Sequence, residues 1–262
     1  MEDLLQGKTA LITGASSGMG ADFARQLAAR GCSLILVGRR TARLLELEAE
    51  ILPRHPVPIE CVTMDLVDAD APLRIYDQLK AQGWSVDILI NNAGFGIFSY
   101  FAQTPWEDLY RMLELDMVAV THLTRLFVGD MLQRKSGHIL LTGSIGSFVP
   151  SPTYAAYSAA KSYLLSLGEA LHYELRGTGV GCTVLCPGVV RTEFHQVAGQ
   201  RLTLFQRMTI MESSAVVRIG IEAMLRGRSC VVAGRSNALM ILMTRLMPRQ
   251  MLAWFAYRTM RN

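Results

Sequence analysis

The chain has 262 residues, half of them apolar, and a net charge of +4. That is enough apolar material for one well-buried α/β domain. The basic residues are scattered and no zinc-finger spacing occurs, so a nucleic-acid footprint is excluded.

In chain order, short β-rich apolar runs alternate with longer helical patterns. Strands are predicted over 9–13, 33–38, 59–64, 88–91, 138–142, 181–185 and 230–233. Helices are predicted over 18–30, 41–52, 69–82, 105–134, 153–176 and 212–226. Seven nearly continuous apolar strands, each followed by a helix, indicate a parallel sheet covered on both faces, the doubly wound α/β architecture of dinucleotide-binding (Rossmann) folds. No Pro/Gly/Ser-rich linker, low-complexity run or internal repeat divides the chain. One domain is expected over 1–235, with an amphipathic helical extension over 236–262.

Cys32, Cys61, Cys182, Cys186 and Cys230 all fall in or beside predicted strands, where cysteine behaves as a small buried hydrophobe. Cys182 and Cys186 share a strand face, but four residues span roughly 13 Å there, beyond disulfide reach. No Cys-x-x-Cys or cysteine/histidine spacing suits a metal. A reducing, cytoplasmic setting is expected. The first residues, Met-Glu-Asp-Leu-Leu-Gln-Gly-Lys, are acidic and run into a strand, unlike a signal peptide.

Directly after the first strand stands Thr13-Gly14-Ala15-Ser16-Ser17-Gly18-Met19-Gly20, and a helix follows. Glycines at a strand–helix junction permit a tight turn and close backbone approach to a pyrophosphate at the helix N-terminus. After the second strand comes Val37-Gly38-Arg39-Arg40. An NAD site would place a carboxylate there for the ribose diol. Guanidinium groups instead suit a 2′-phosphate, so NADP(H) is expected over NAD(H).

Ser144 follows the fifth strand, and Tyr157-Ser158-Ala159-Ala160-Lys161 lies on the next helix. Residues four apart project from one helix face, which puts an ammonium close to a phenol. A phenol titrates near ~10, and a neighbouring cation lowers it. Ser144 could hold a substrate oxygen beside that phenol.

With these residues in place, the chain resembles the short-chain dehydrogenase/reductase family from about Lys8 to Gly234. The markers are the TGASSGMG turn, Asp65-Leu66, Asn91-Asn92-Ala93-Gly94, Ser144, Tyr157/Lys161 and Pro187-Gly188-Val189-Val190-Arg191-Thr192. The spacing fits the short oxidoreductase branch better than the nucleotide-sugar epimerase branch. The resemblance implies cofactor contacts from Gly14, Ser16, Ser17, Gly18, Met19, Gly20, Asp65, Leu66, Asn92, Ala93 and Gly94. It implies further contacts from Pro187, Gly188, the Val190 backbone and the Thr192 hydroxyl around the nicotinamide. Tyr157 is then the general acid, Lys161 lowers its pKa and binds the nicotinamide ribose, and Ser144 positions the carbonyl oxygen. Where the family has an asparagine whose backbone carbonyl holds a relay water, this chain has Asp116. Its carboxylate near Lys161 would support the positive charge and alter the tyrosine pKa.

Three segments are expected to frame the substrate pocket: Phe95, Phe98, Tyr100 and Phe101; then Ile145, Phe148, Val149 and Pro150; then Phe194, Leu202, Leu204, Phe205, Met208, Ile210 and Met211. About half should touch the pocket and the rest the core. Their apolar character favours a ketone, an aldehyde or a 3-oxoacyl thioester over a sugar. The expected enzyme is an NADP(H)-dependent carbonyl reductase. An NAD-dependent alcohol or hydroxysteroid dehydrogenase, or a non-catalytic NADP(H)-binding redox sensor, are the alternatives. Apolar residues on several sides of 153–176 and the family's habit suggest a homodimer or homotetramer through the long helices. The tail is dense in Leu, Met and aromatics with interspersed arginines, and two readings stay open: packing on the body or a second subunit, or lying on a membrane surface. A chain cut before Asn237 is expected to keep its nucleotide site, because no cofactor motif lies beyond Thr192.

Overall fold

The computed structural model describes residues 5–203, 206 and 209–260; Leu204, Phe205 and Met208 lie outside the described residues. The elements in order are β1 (Thr9–Thr13), α1 (Gly18–Ala28), β2 (Ser33–Gly38), α2 (Thr41–Ile51), β3 (Ile59–Thr63), α3 (Ala71–Ala81) and β4 (Ile88–Asn91). Then come α4 (Trp106–Leu113), a π-helical segment Glu114–Ala119, α5 (Val120–Arg134), β5 (Gly137–Thr142), α6 (Ala155–Glu174) and β6 (Val180–Cys186). The chain continues with β7 (Val190–Arg191), α7 (Phe194–Val197), β8 (Met211–Glu212), α8 (Ser213–Leu225), β9 (Cys230–Val232), α9 (Arg235–Thr244) and α10 (Arg249–Met260).

The main sheet has seven strands in the order β3-β2-β1-β4-β5-β6-β9, and every neighbouring pair is parallel. The period of two along each strand divides the core between the faces. Ala10, Ile12, Leu34 and Leu36 join Phe23 and Leu27 of α1, Leu44 of α2 and Val216 and Ile221 of α8 on one side. Leu11, Ile35, Val37, Leu89 and Leu141 join Ile75 of α3, Phe127 of α5 and Leu164 of α6 on the other. Burying each such side chain contributes roughly 1.5–3 kcal/mol, and both faces must be covered for a parallel sheet to persist. Strand order reverses between β1 and β4, which opens a crevice at their carboxyl ends.

The seven main strands lie where the apolar runs place them, with ends moved by one residue at most. The helix expected over 105–134 is instead interrupted by the π segment. A π turn adds a residue to the ladder without disturbing the apolar pattern, so periodicity does not reveal it. Strands β7 and β8 pair as a separate ribbon and are too short for alternation to register. All five cysteines are free thiols; Cys186 and Cys230, on adjacent strands, bring their sulfurs to 3.9 Å.

The extension forms two helices, α9 and α10, separated by Arg245–Pro248. Asn237, Ile241, Leu252 and Ala256 are buried against the body. Other apolar side chains of the same helices face outward, with Leu246, between the helices, 88% exposed.

Candidate active site

The glycine turn is shaped by close approach. A Cβ on Gly20 would stand 2.1 Å from the Gly14 carbonyl oxygen, and one on Gly14 would stand 2.9 Å from the Ala93 Cα. Gly14 and Gly18 also have positive φ, 67° and 53°, which glycine adopts without strain. The turn is tied to the loop after β4 by Thr13. Its hydroxyl accepts from the backbone N–H groups of Asn92 and Ala93, both at 3.0 Å, and donates to the Ile90 carbonyl at 3.3 Å. Asn92 Nδ2 in turn donates to the Thr13 carbonyl at 3.0 Å.

At the end of β2, Arg40 reaches back over the turn. Its Nη2 donates to Ser17 Oγ at 2.7 Å, its Nε and Nη2 each donate to Ser16 Oγ at 3.3 Å, and its Nη1 meets Glu193 Oε2 at 3.1 Å. Arg39 is more loosely held, with Nη1 3.8 Å from Asp65 Oδ2, a carboxylate it shares with Arg111 at 3.4 Å.

Ser144, two residues past β5 and in extended conformation (φ −160°), caps a short 3-10 turn, Ile145–Ser147. Its Oγ accepts from the Gly146 N–H at 3.0 Å. Ser147 Oγ accepts from the Ser144 N–H at 3.2 Å and donates to the Lys161 carbonyl at 2.8 Å, so this one hydroxyl couples Ser144 to α6. Lys161 is buried; its Nζ donates to the Thr142 carbonyl at 3.2 Å and lies 3.2 Å from Asp116 Oδ2. Asp116 Oδ1 accepts from the Phe95 N–H at 3.1 Å. Burial pushes the Asp116 carboxyl up, while Lys161 and the Phe95 N–H pull it back.

Tyr157 differs from the sequence expectation. Burial and, after it, the Asp116 charge push its phenol above the ordinary value, and a hydrogen-bonding contact with Ser144 works the other way. The Lys161 ammonium, engaged by Asp116 and Thr142, sits 5.6 Å from the centre of the Tyr157 ring, and burial outweighs what it can do for the phenolate.

All of this opens into one cavity of about 950 Å³. Its wall includes Ser144, Tyr157 and Lys161 together with Gly14, Ser16, Ser17, Gly18, Met19, Arg39, Arg40, Asp65, Leu66, Asn92, Ala93, Gly94, Pro187, Gly188, Val190 and Thr192. Two expected site residues are absent from that wall. Gly20 acts through its fit against Gly14, and Asp116, completely buried, lies behind Lys161.

Of the expected substrate contacts, Phe95, Ile145, Val149 and Phe194 line the cavity. Phe148 and Met211 pack against the core, Phe98 stacks on Tyr154, and Tyr100 and Phe101 are exposed. Pro150, Leu202 and Ile210 are not part of the wall. Sequence reasoning missed a polar cluster in it: Tyr154 donates to Gln200 Oε1 at 3.0 Å, and His195 Nδ1 lies 3.2 Å from the same oxygen. Burial lowers His195 and raises Tyr154, so both are favoured in their neutral forms. Polar residues inside the apolar stretch 194–200 were the available signal. Leu239, Met240, Met243, Met247, Leu252 and Phe255 of the extension close one side of the cavity.

The extension also reaches the loop after β6. A Cβ on Gly188 would lie 2.5 Å from Asn237 Nδ2, and Asn237, which donates to the Ala233 carbonyl at 2.8 Å, is buried. The tail therefore touches the 187–192 segment at Asn237.

The sequence model described as short chain dehydrogenase matches residues 8–202. An uncharacterized oxidoreductase of Myxococcus xanthus is 33% identical over 220 residues, covering 84% of this chain and 85% of that protein. A very-long-chain 3-oxoacyl-CoA reductase of Aspergillus fumigatus is 36% identical over 182 residues, 67% of this chain but only 51% of that protein. A short-chain dehydrogenase of Sphingobium yanoikuyae, solved in complex with NADPH, superposes with a TM-score of 0.81 at 31% identity, covering 92% of this chain and 95% of that one.

Proposed function

Since this chain belongs to the short-chain dehydrogenase/reductase family, and so is an oxidoreductase, we propose that it uses NADPH to reduce the carbonyl group of an apolar substrate. The observation that carries this reading is one continuous cavity. It joins the Arg40–Ser16–Ser17 cluster at one end to Ser144, Tyr157 and Lys161, and beyond them to an apolar chamber. The glycine cradle, the paired serines with their guanidinium and the buried ammonium suit a dinucleotide phosphate. The 2′-phosphate falls to Arg40, Ser16 and Ser17, with Arg39 beside them, the adenine to Asp65 and Leu66, the nicotinamide ribose to Lys161, and the carboxamide to Val190 and Thr192. When bound, NADPH supplies the hydride that the carbonyl carbon accepts.

The chain's own part is to place and protonate the oxygen. Ser144, held by its cap and by Ser147, orients the carbonyl oxygen. Tyr157, whose phenol is in its acid form at neutral pH, delivers its proton to that oxygen. Asp116 is a positioning residue that acts through Lys161 and the Phe95 N–H. Its π turn departs from the regular ladder, which suits a backbone carbonyl holding a relay water. The chamber favours a ketone, an aldehyde or a 3-oxoacyl thioester. A homo-oligomer through α4–α6 is supported by exposed Trp106, Tyr110, Tyr163 and Tyr173 on those helices.

A screen of apolar ketones, aldehydes and 3-oxoacyl thioesters with each cofactor tests the reading. Turnover with NADPH and a lower KM for NADPH than for NADH are expected. A lower KM for NADH would move the assignment to an NAD-linked dehydrogenase, and binding without turnover of any carbonyl would move it to a redox sensor.

A further inference from the structure

We propose that α9 and α10 dock the protein on an anionic lipid surface, with the mouth of the substrate cavity opening onto that surface. Residues 235–262 contain five arginines and no aspartate or glutamate. Among the described residues, none of Arg235, Arg245, Arg249 or Arg258 forms an ion pair with a carboxylate; Arg258 stacks over Trp254 at 5.3 Å. The same two helices carry a dense set of exposed apolar side chains. Leu246, Met251 and Trp254 are 88%, 54% and 60% exposed. Leu246 projects at the turn between the helices, flanked by Arg245 and Arg249.

Leu239, Met243 and Phe255 are more than half exposed and also line the cavity, so they form its rim. An aperture edged by apolar side chains on two helices that also carry arginines matches the boundary between lipid headgroups and acyl chains. Tyr100 and Phe101, both exposed, adjoin the rim through the Tyr100–Tyr257 hydroxyl contact at 3.1 Å. No helix among the described residues is long and apolar enough to cross a membrane, so the helices lie in the interface rather than through it.

Charge selects lipid over a second copy of this chain. A symmetric contact would bring one arginine-rich segment against another with no carboxylate in either, and like charges across an interface are repulsive. An anionic leaflet attracts those same groups. The inward side of the helices is already satisfied by burial of Asn237, Ile241, Leu252 and Ala256, leaving the outward side as the docking face. Entry of an apolar substrate from the bilayer rests on the carbonyl-reductase reading; docking itself does not.

The test is flotation of the full-length protein with phosphatidylcholine vesicles, with and without phosphatidylglycerol, at low and high salt. Flotation is expected with phosphatidylglycerol at low salt, and its loss at high salt is expected as well. A Leu246→Glu/Trp254→Glu double variant should lose flotation while keeping nucleotide binding and turnover of a water-soluble ketone. Arg245→Ala/Arg249→Ala should weaken vesicle binding about tenfold or more. Absence of flotation by the wild type, or flotation undiminished in the Leu246→Glu/Trp254→Glu variant, overturns the proposal. So does a concentration-dependent dimer, seen by light scattering, that this variant dissolves. Because flotation does not depend on turnover, it separates failure of docking from failure of the reductase reading.

Discussion

The Lys161 ammonium lies 3.2 Å from the Asp116 carboxylate; both side chains are buried, Lys161 in the cavity wall and Asp116 behind it. Removing one partner of such a pair leaves an uncompensated buried charge, and that is costly. The pair also dictates its neighbour. A Cβ on Gly94 would stand 2.7 Å from Asp116 Oδ1 and 3.2 Å from Lys161 Nζ, so the backbone after β4 approaches the pair only as glycine.

Gly94→Ala is therefore expected to push Asp116 and Lys161 out of position. Overpacking of this kind costs about 1–3 kcal/mol, and turnover should fall more than stability does. Thermal unfolding and kcat measured together check this; wild-type kcat in a folded variant contradicts it.

Asp116→Asn should keep the enzyme active and move its pH profile. Asp116 is the second cause, after burial, of the raised Tyr157 pKa, so its removal lowers that pKa. A proton donor works below its pKa, so the alkaline limb of carbonyl reduction should move to lower pH. In alcohol oxidation, where the phenolate is needed, the rising limb should also move to lower pH. Profiles that coincide with the wild type would show that the carboxylate does not act on the phenol.

Tyr157→Phe removes the proton donor and leaves the cavity shape nearly unchanged. A general acid contributes typically 10²–10⁴-fold, so kcat should fall by at least about a hundredfold with NADPH affinity nearly intact. Retention of more than about a tenth of wild-type kcat is far above that range and would remove Tyr157 from the proposed role.

Arg40→Ala should weaken NADPH much more than NADH, because Arg40 is the guanidinium built against Ser16 and Ser17. A charge-assisted hydrogen bond is worth about 1.5–3 kcal/mol, or roughly tenfold or more in affinity. Arg39→Ala should have the smaller effect, since Arg39 has only a 3.8 Å ion pair with Asp65. Titration of both variants with both cofactors decides; equal loss for NADPH and NADH in Arg40→Ala would count against a 2′-phosphate site there.

Chain shortening should depend on where the cut falls. Removing residues 246–262 strips Met247, Leu252 and Phe255 from the cavity wall but leaves Asn237 against Gly188. NADPH binding is expected to survive, while KM for an apolar carbonyl rises. Removing residues 237–262 also takes Asn237 away from Gly188, and NADPH binding should weaken. Equal NADPH affinity in the two truncated chains would show that Asn237 does not support the loop.

The amino-acid sequence by itself determined the sheet, the glycine turn and the Ser144/Tyr157/Lys161 spacing. These rest on short-range physics: a period of two in strands such as β1, a glycine turn between strand and helix, and the four-residue repeat of a helix face. Tertiary structure decided what lies behind and around those residues. That Asp116 is fully buried against Lys161, and that burial first and Asp116 second raise the Tyr157 phenol, follows from the meeting of the π turn, the loop after β4 and α6. The sequence showed that the tail was apolar and cationic. Only packing decided that Leu252 is buried, Phe255 borders the cavity and Leu246 points outward, because a helix apolar on several sides carries no internal instruction about which side meets the body.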